Sequence, residues 1–374
     1  MFEQTKAKCD EFLELGIPGF DLLVYKDGKE YFRYMGGYRD LENKLPVQGD
    51  ERYRIYSCTK PITVVAAMQL WEQGKFDLDD LVSDYLPAYK EQTVQDENGI
   101  RKATQPMRVR HLFTMTAGFS YDYHTPELEK LAQAEPNPTT RQVADALGKE
   151  HLLFEPGDRY NYSLCHDVLG ALIEVWSGES FDSYVKHHVF EPLGMDHSTM
   201  HLTQEDKSTV APLYRFDSET KQAQPMPLSD RLGKNYVCGG AGCVTTISDY
   251  MKFAEALREG ERLLKRSTIA LMSTNQLTEH QKRTFTIHNM GYGLGLWAPL
   301  PGELRQDIGW GGAAGAMLSV DIGRGLSIVY MQHMLRSPNM PLRGKMVRTF
   351  MAEFDGVADA RANESGYTAN DLTY

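Results

Sequence analysis

The chain has 374 residues, 41% of them hydrophobic and 24% charged, a balance that supports a sizeable core in one large domain or two interlocked ones. Its 40 Lys and Arg stand against 51 Asp and Glu, a formal charge of −11, which argues against nucleic acid and anionic membranes as main partners because both recruit cationic surfaces. The cysteines number five, an odd count with no Cys-x-x-Cys, so neither a disulfide framework nor a zinc ribbon is expected.

The opening MFEQTKAKCDEFLELGIPGF lacks a cationic start followed by an apolar run, and no later stretch approaches the roughly 18 apolar residues of a membrane span. A cytoplasmic location is therefore expected. Residues 2–15 read as an amphipathic helix through Phe2, Phe12, Leu13 and Leu15, broken by GIPGF. FDLLVYKDGKEYFRYMGG then gives β-rich runs on either side of the turn pair Asp27-Gly28. In TKPITVVAAMQLWEQG, Val64, Val65, Met68 and Trp71 fall at helical spacing; the segment is apolar over most of its circumference and is expected to be buried. From about 85 to 240, helix-like segments alternate with polar loops. The clearest is 167–178, with Val168, Leu169, Leu172, Ile173 and Trp176 on one stripe and Gly178 as its stop. From about 290 short strands follow (YGLGLWAPL, QDIGWGG, GAMLSVDI, GLSIVYMQHM), then a last helix at 342–354 and a polar tail after Gly356 that reads as mobile. This order predicts an α/β fold of the α+β kind: an antiparallel β-sheet flanked by helices and built from both chain ends, with a mostly helical domain inserted. The expected boundaries are 1–85 and 240–374 for the sheet domain and 86–239 for the helical one, with the active site between them.

Ser-x-x-Lys is the pattern with chemical content. A serine hydroxyl becomes a useful nucleophile when a base takes its proton, and residues i and i+3 share a helix face. Burial disfavours the ammonium form of a lysine and so frees it to act as that base. A serine at a helix start also keeps a spare N–H for a developing oxyanion. The pattern occurs at Ser57–Lys60, Ser183–Lys186 and Ser218–Lys221. Ser218 lies in the polar DSETKQAQP, and Ser183 lies within the helix-like FDSYVKHHVF. Ser57 alone follows a strand-like run and opens a long apolar helix, with Pro61 where proline is tolerated, in the first turn. Other features carry less. GWGGAAG (309–315) and CGGAG (238–242) lack the context of phosphate loops and read as strand edges that let a substrate approach the backbone. His187, His188, His197 and His201 lack a Glu or Cys to complete a metal set, so no metal is expected. No Gly-x-Ser-x-Gly occurs. The residues themselves do not choose a third catalytic member among 20 tyrosines and 11 histidines.

From GIPGF to YMQHM the chain resembles the serine β-lactamase and penicillin-binding-protein superfamily, closest to the class C-like branch with its carboxylesterases of the family VIII type and D-aminopeptidases. The blocks RIYSCTKPIT, GKFDLDDLVSDYLP, RHLFTMTAGF, FEPGDRYNYSLCHDVLG, EPLGM and GGAGCVTTISDYMKF carry the likeness. It implies a β-lactamase/transpeptidase-like fold, Ser57 as nucleophile, Lys60 beside it, and Tyr162 of Tyr162-Ser163-Leu164 as general base, with Tyr160 the neighbour to confuse with it. Leu164 stands where the family's lactamases carry a substrate-binding asparagine, as in the esterase members, which puts β-lactam turnover in doubt. Trp310-Gly311-Gly312-Ala313 stands where the family has Lys-Thr-Gly. The missing lysine favours a neutral ester or amide, and the Ala313 N–H is expected to join that of Ser57 as an oxyanion hole, with Trp310, Gly311, Gly312 and Leu164 lining the substrate.

The resemblance implies a serine hydrolase that cleaves small carboxylic esters through an acyl-enzyme on Ser57, without cofactor. D-aminopeptidase or amide hydrolysis, weak β-lactamase activity, acyl transfer to another acceptor, and non-catalytic binding on the same fold remain alternatives.

Overall fold

The computed structural model describes residues 1–287 and 289–358. The tail that reads as mobile lies, from residue 359 on, outside the described residues. The predicted hairpin forms: strands Gly19–Lys26 and Lys29–Asp40 pair antiparallel around Asp27 (φ 49°) and Gly28 (φ 83°). Two successive positive φ values match the right-handed twist of the strands, which is why Asp-Gly suits this turn. Gly19–Lys26 is buried along most of its length because it has a neighbour on both sides.

Among the described residues the main sheet has 8 strands, in the order Gly291–Tyr292, Trp297–Ala298, Ile308–Gly311, Met317–Asp321, Leu326–Met331, Gly19–Lys26, Lys29–Asp40 and Leu45–Pro46. All neighbours run antiparallel, and Gly19–Lys26 lies against Leu326–Met331 with Leu23 opposite Val329. Strands from the two ends of the chain thus lie in one sheet. Helices Glu3–Glu14 and Arg343–Asp355 pack together beside it, with Phe2 and Phe350 stacked at 4.5 Å between ring centres. Helix Ile247–Glu259 covers the central strands.

Helix Thr59–Glu72 is buried on nearly every side and packs against helix Cys165–Ser177, which ends at Gly178 in the left-handed conformation. Among the described residues no helix is long and apolar enough to cross a membrane.

The middle of the chain is less purely helical than its pattern suggests. Strands Thr93–Asp96, Gly99–Lys102 and His151–Leu152 form one small sheet, and Leu213–Asp217 and Gln222–Met226 join Met334–Leu335 in another. The first hairpin had a visible signal in Asn98-Gly99, with Gly99 at φ 107°. The second turns at DSETK, where the Asp217 carboxylate accepts from the Glu219 N–H at 2.8 Å.

All five cysteines are unpaired; Cys9, Cys58, Cys165 and Cys243 are buried and Cys238 is half-buried. Burial pushes the Cys58 and Cys165 thiols up to about 12. Burial, then the nearby Asp167 carboxylate, pushes Cys238 up to about 11.

Candidate active site

Tyr53 and Arg54 pair with Thr245 and Val244 in a short ladder, and the Ile55 N–H donates to the Cys243 carbonyl at 3.0 Å. Tyr56 then takes φ 48°, a left-handed conformation unusual for a bulky side chain. Strain of this kind costs on the order of 1–3 kcal/mol and persists only where the surroundings impose it. It turns the chain from strand into the 3-10 turn Tyr56–Cys58 that opens helix Thr59–Glu72. Ser57 sits in that first turn, where an N–H has no carbonyl one turn back within the helix.

Lys60 is fully buried one turn further on. Its Nζ lies 3.3 Å from the Ser57 Oγ, 3.3 Å from the Tyr121 hydroxyl and 2.9 Å from the Gly240 carbonyl. It also lies over two aromatic faces, 4.6 Å from the Tyr162 ring centre and 5.1 Å from that of Tyr121. The Tyr121 and Tyr162 rings stack at 5.0 Å.

The loop 238–243 forms the wall behind Lys60. Thr63 Oγ1 donates to the Gly239 carbonyl at 2.7 Å, and the Cys243 N–H donates to Thr59 Oγ1 at 3.0 Å, so the helix holds the loop directly. The glycines permit this contact: a Cβ at Gly239 would stand 2.2 Å from the His166 carbonyl, and one at Gly240 would stand 2.8 Å from Asp167 Oδ2 and 3.3 Å from Lys60 Nζ. Asp167 is buried, and its Oδ1 accepts from the Tyr236 hydroxyl, from Cys238 Sγ at 3.1 Å and from the Gly240 N–H at 3.3 Å. Its Oδ2 is buried without a hydrogen-bond partner among the described residues. A carboxylate facing the same gap as a buried ammonium offsets the cost of burying that charge. Burial, reinforced by the Lys60 charge, holds the adjoining His166 well below its usual range and therefore neutral.

Strand Ile308–Gly311 faces Ser57, and the Trp310 carbonyl accepts from Cys58 Sγ at 3.4 Å. A Cβ at Gly312 would meet the Ile55 carbonyl at 2.2 Å, so only glycine lets the strand end come this close to the Ser57 segment. A tight turn follows, closed by the Gly315 N–H on the Gly312 carbonyl at 3.0 Å. Ala313 is the first central residue of that turn, a position whose N–H the turn itself does not use. A Cβ at Gly311 would meet nothing closer than 4.0 Å, so this stretch of backbone fronts open space.

The expected residues do not all come together. Ser57, Lys60, Tyr162, Trp310, Gly311, Gly312 and Ala313 share one site, where Trp310 Nε1 donates to the Tyr162 hydroxyl at 3.3 Å and the two rings lie 5.6 Å apart. Leu164 is buried in the main core at the start of helix Cys165–Ser177. Tyr160 packs against Phe285 and Tyr292. The other Ser-x-x-Lys pairs build nothing comparable: Ser183 Oγ bonds the Ser180 hydroxyl at 2.9 Å, and Ser218 lies in an exposed turn. Tyr121 and Asp167 are the members that sequence reasoning missed. Tyr121 gave no signal. Asp167 did: a charged residue amid the apolar stripe of helix 165–177 calls for a buried polar partner. Among the described residues no three His, Cys, Asp or Glu side chains gather as a metal site.

Comparison with known proteins agrees with this architecture. Protein Rv1367c of Mycobacterium tuberculosis is 29% identical over 326 residues, 79% of this chain and 81% of that one. Among solved structures, EstCE1, described as a hydrolase with promiscuous acyltransferase activity, is 26% identical with a TM-score of 0.75, covering 93% of this chain and 97% of its own. Simvastatin synthase (LovD) from Aspergillus terreus superposes with a TM-score of 0.77 at 24% identity over 94% of this chain and 98% of its own, a likeness that bears on the fold alone. The Beta-lactamase family model matches residues 3–345. A match of that extent settles the kinship that the blocks around Ser57 suggested: the chain belongs to the β-lactamase family of serine hydrolase fold.

Proposed function

We propose that this protein is a serine acyl hydrolase that cleaves small carboxylic esters through an acyl-enzyme on Ser57. The observation that carries the reading is the buried Lys60 Nζ, 3.3 Å from the Ser57 Oγ and anchored on the Gly240 carbonyl at 2.9 Å. Lys60 and a tyrosine, which share one proton between ammonium and phenolate, take the Ser57 proton as Oγ attacks the substrate carbonyl. The N–H groups of Ser57 and Ala313 receive the oxyanion. The tyrosine then protonates the leaving alcohol, and water releases the acid from Ser57 by the same steps in reverse.

Of the two tyrosines beside Lys60, Tyr162 is taken as the base, because it stands in the Tyr162-Ser163-Leu164 stretch that resembles the family motif; Trp310 Nε1 donates to its oxygen at 3.3 Å and fixes the hydroxyl, while the Tyr121 oxygen accepts from Lys60 Nζ. Tyr162→Phe is expected to lower kcat for p-nitrophenyl butyrate by about 10²–10⁴, the usual scale of a general base, and Tyr121→Phe by less than about tenfold. The reverse order would transfer the role to Tyr121. Within the resemblance, Leu164 in place of the lactamase asparagine supports ester over β-lactam turnover, and the likeness to EstCE1, described as a hydrolase with promiscuous acyltransferase activity, supports an acyl-enzyme.

The decisive experiment is intact mass spectrometry after a fluorophosphonate probe and, separately, after p-nitrophenyl acetate and butyrate. One adduct, absent from Ser57→Ala together with ester turnover, is expected. Adduct and turnover surviving in Ser57→Ala would end the proposal.

A further inference from the structure

Beside Tyr56 lies a cavity of about 50 Å³ whose charged lining is Arg54, Arg231, Lys234 and Asp230. On this measure a water needs about 10–15 Å³, so a group of a few heavy atoms fits. The lining is locally cationic in a protein of formal charge −11. Its one carboxylate is already engaged, since Asp230 accepts from Lys207 Nζ at 2.8 Å and lies 3.7 Å from Arg54 Nη2. Arg54 Nη1 donates to the Ser229 carbonyl at 2.7 Å, while its Nε is buried with no hydrogen-bond partner among the described residues. Arg54 lines the cavity with a guanidinium whose donors are not all used, and such a group suits an anion.

The cavity adjoins the candidate catalytic residues. The Arg231 guanidinium lies 4.7 Å from the centre of the Tyr123 ring. From there a row of aromatic rings runs to Trp310: Tyr123 to Tyr121 at 6.1 Å, Tyr121 to Tyr162 at 5.0 Å, and Tyr162 to Trp310 at 5.6 Å. Lys60 Nζ sits over the middle two rings. Tyr56, which lines the cavity, directly precedes Ser57 and clusters with Ala241 and Ala313.

We propose that this cavity, which Tyr56 next to Ser57 lines, binds a carboxylate carried by the substrate, between Arg231, Lys234 and Arg54. The substrate class is then an ester with a free carboxylate several bonds from the scissile carbonyl. Guanidinium groups suit a carboxylate because their paired N–H donors match its two oxygens. This rests on the acyl-enzyme reading above and narrows it.

The test pairs esters that differ in that charge. For the acyl side, mono-p-nitrophenyl adipate is compared with p-nitrophenyl hexanoate; for the leaving-group side, 4-acetoxybenzoate with phenyl acetate. Wild-type kcat/KM is expected to favour the anionic member of at least one pair tenfold or more. Whichever pair shows it tells which side of the ester carries the charge. Arg231→Gln should shrink that ratio at least fivefold, mainly through KM, and Arg231→Lys should recover part of it. Calorimetric binding of hexanoate to Ser57→Ala, lost on adding Arg231→Gln, gives a readout independent of turnover. Ratios at or below one in both pairs, ratios unchanged in Arg231→Gln/Lys234→Gln, or no hexanoate binding would overturn the cavity assignment. Ester turnover that survives in Ser57→Ala would instead overturn the acyl-enzyme reading, so the two failures are distinguishable.

Discussion

Lys60→Met is expected to lower kcat for p-nitrophenyl butyrate by about 10²–10⁴, the range that a positioned acid–base group contributes. Methionine has a similar length and no charge, so the space beside the stacked Tyr121 and Tyr162 rings stays filled. What disappears is the group that links the Ser57 Oγ, the Tyr121 hydroxyl and the Gly240 carbonyl, at 3.3, 3.3 and 2.9 Å. The substitution also leaves Asp167 as a buried carboxylate without the neighbouring cation, and an uncompensated buried charge is destabilising. The Tm of Lys60→Met should therefore fall. The double variant Lys60→Met/Asp167→Asn should recover stability without recovering turnover, which separates the charge balance of the fold from the chemistry on Ser57. Steady-state kinetics and thermal melts of the three proteins are the check. A Lys60→Met enzyme within tenfold of wild type would remove Lys60 from the proton path.

Acidification is expected to destabilise the fold steeply from about pH 6.5 downwards. Burial holds His111 and His333 at about 4 and His166 well below its ordinary value; cationic neighbours, Arg110 and Lys60 among them, add to this. Below an unfolded value of about 6.5, the unfolded chain binds protons that the folded chain refuses. Stability therefore rises with pH across this window and is lost as pH falls through it. Three such groups give a slope of at most about 4 kcal/mol per pH unit, against a total stability of about 5–15 kcal/mol. Asp21 and Glu174, whose carboxyls burial pushes up, work in the opposite direction at the acid end. Melting temperatures at pH 7.5, 6.5, 5.5 and 4.5 should be level between the first two and then drop sharply. His333→Gln keeps a polar group near the Ala211 carbonyl and should flatten the slope. A Tm unchanged from pH 6.5 to 5 would contradict the burial of these neutral rings.

The local parts of this design were legible in the sequence. Asp27-Gly28 announced its hairpin, and the spacing of Ser57 and Lys60 on a thoroughly apolar helix announced their 3.3 Å contact, because both signals span only a few residues. Relatedness to known blocks supplied Tyr162 and the Trp310–Ala313 stretch. The remaining contacts join residues far apart in the chain: Lys60 and Tyr121 are separated by 61 positions, Asp167 and Gly240 by 73, and Lys60 and Gly240 by 180. No periodicity encodes such pairings; they follow from how the sheet and the middle helices close on each other. The small sheets of the middle were missed for a related reason, since strands of two to five residues are too short to show alternation against helical neighbours.

The unpaired cysteines make the folded protein its own clock. Alkylating reagents and peroxides react with thiolates, and thiols titrating at about 11 to 12 supply almost none at neutral pH. For the buried thiols modification must then wait for the structure to open. Labelling at half-buried Cys238 would come first, while labelling at Cys58, locked between Ser57 and helix 59–72, would time the breathing of the core.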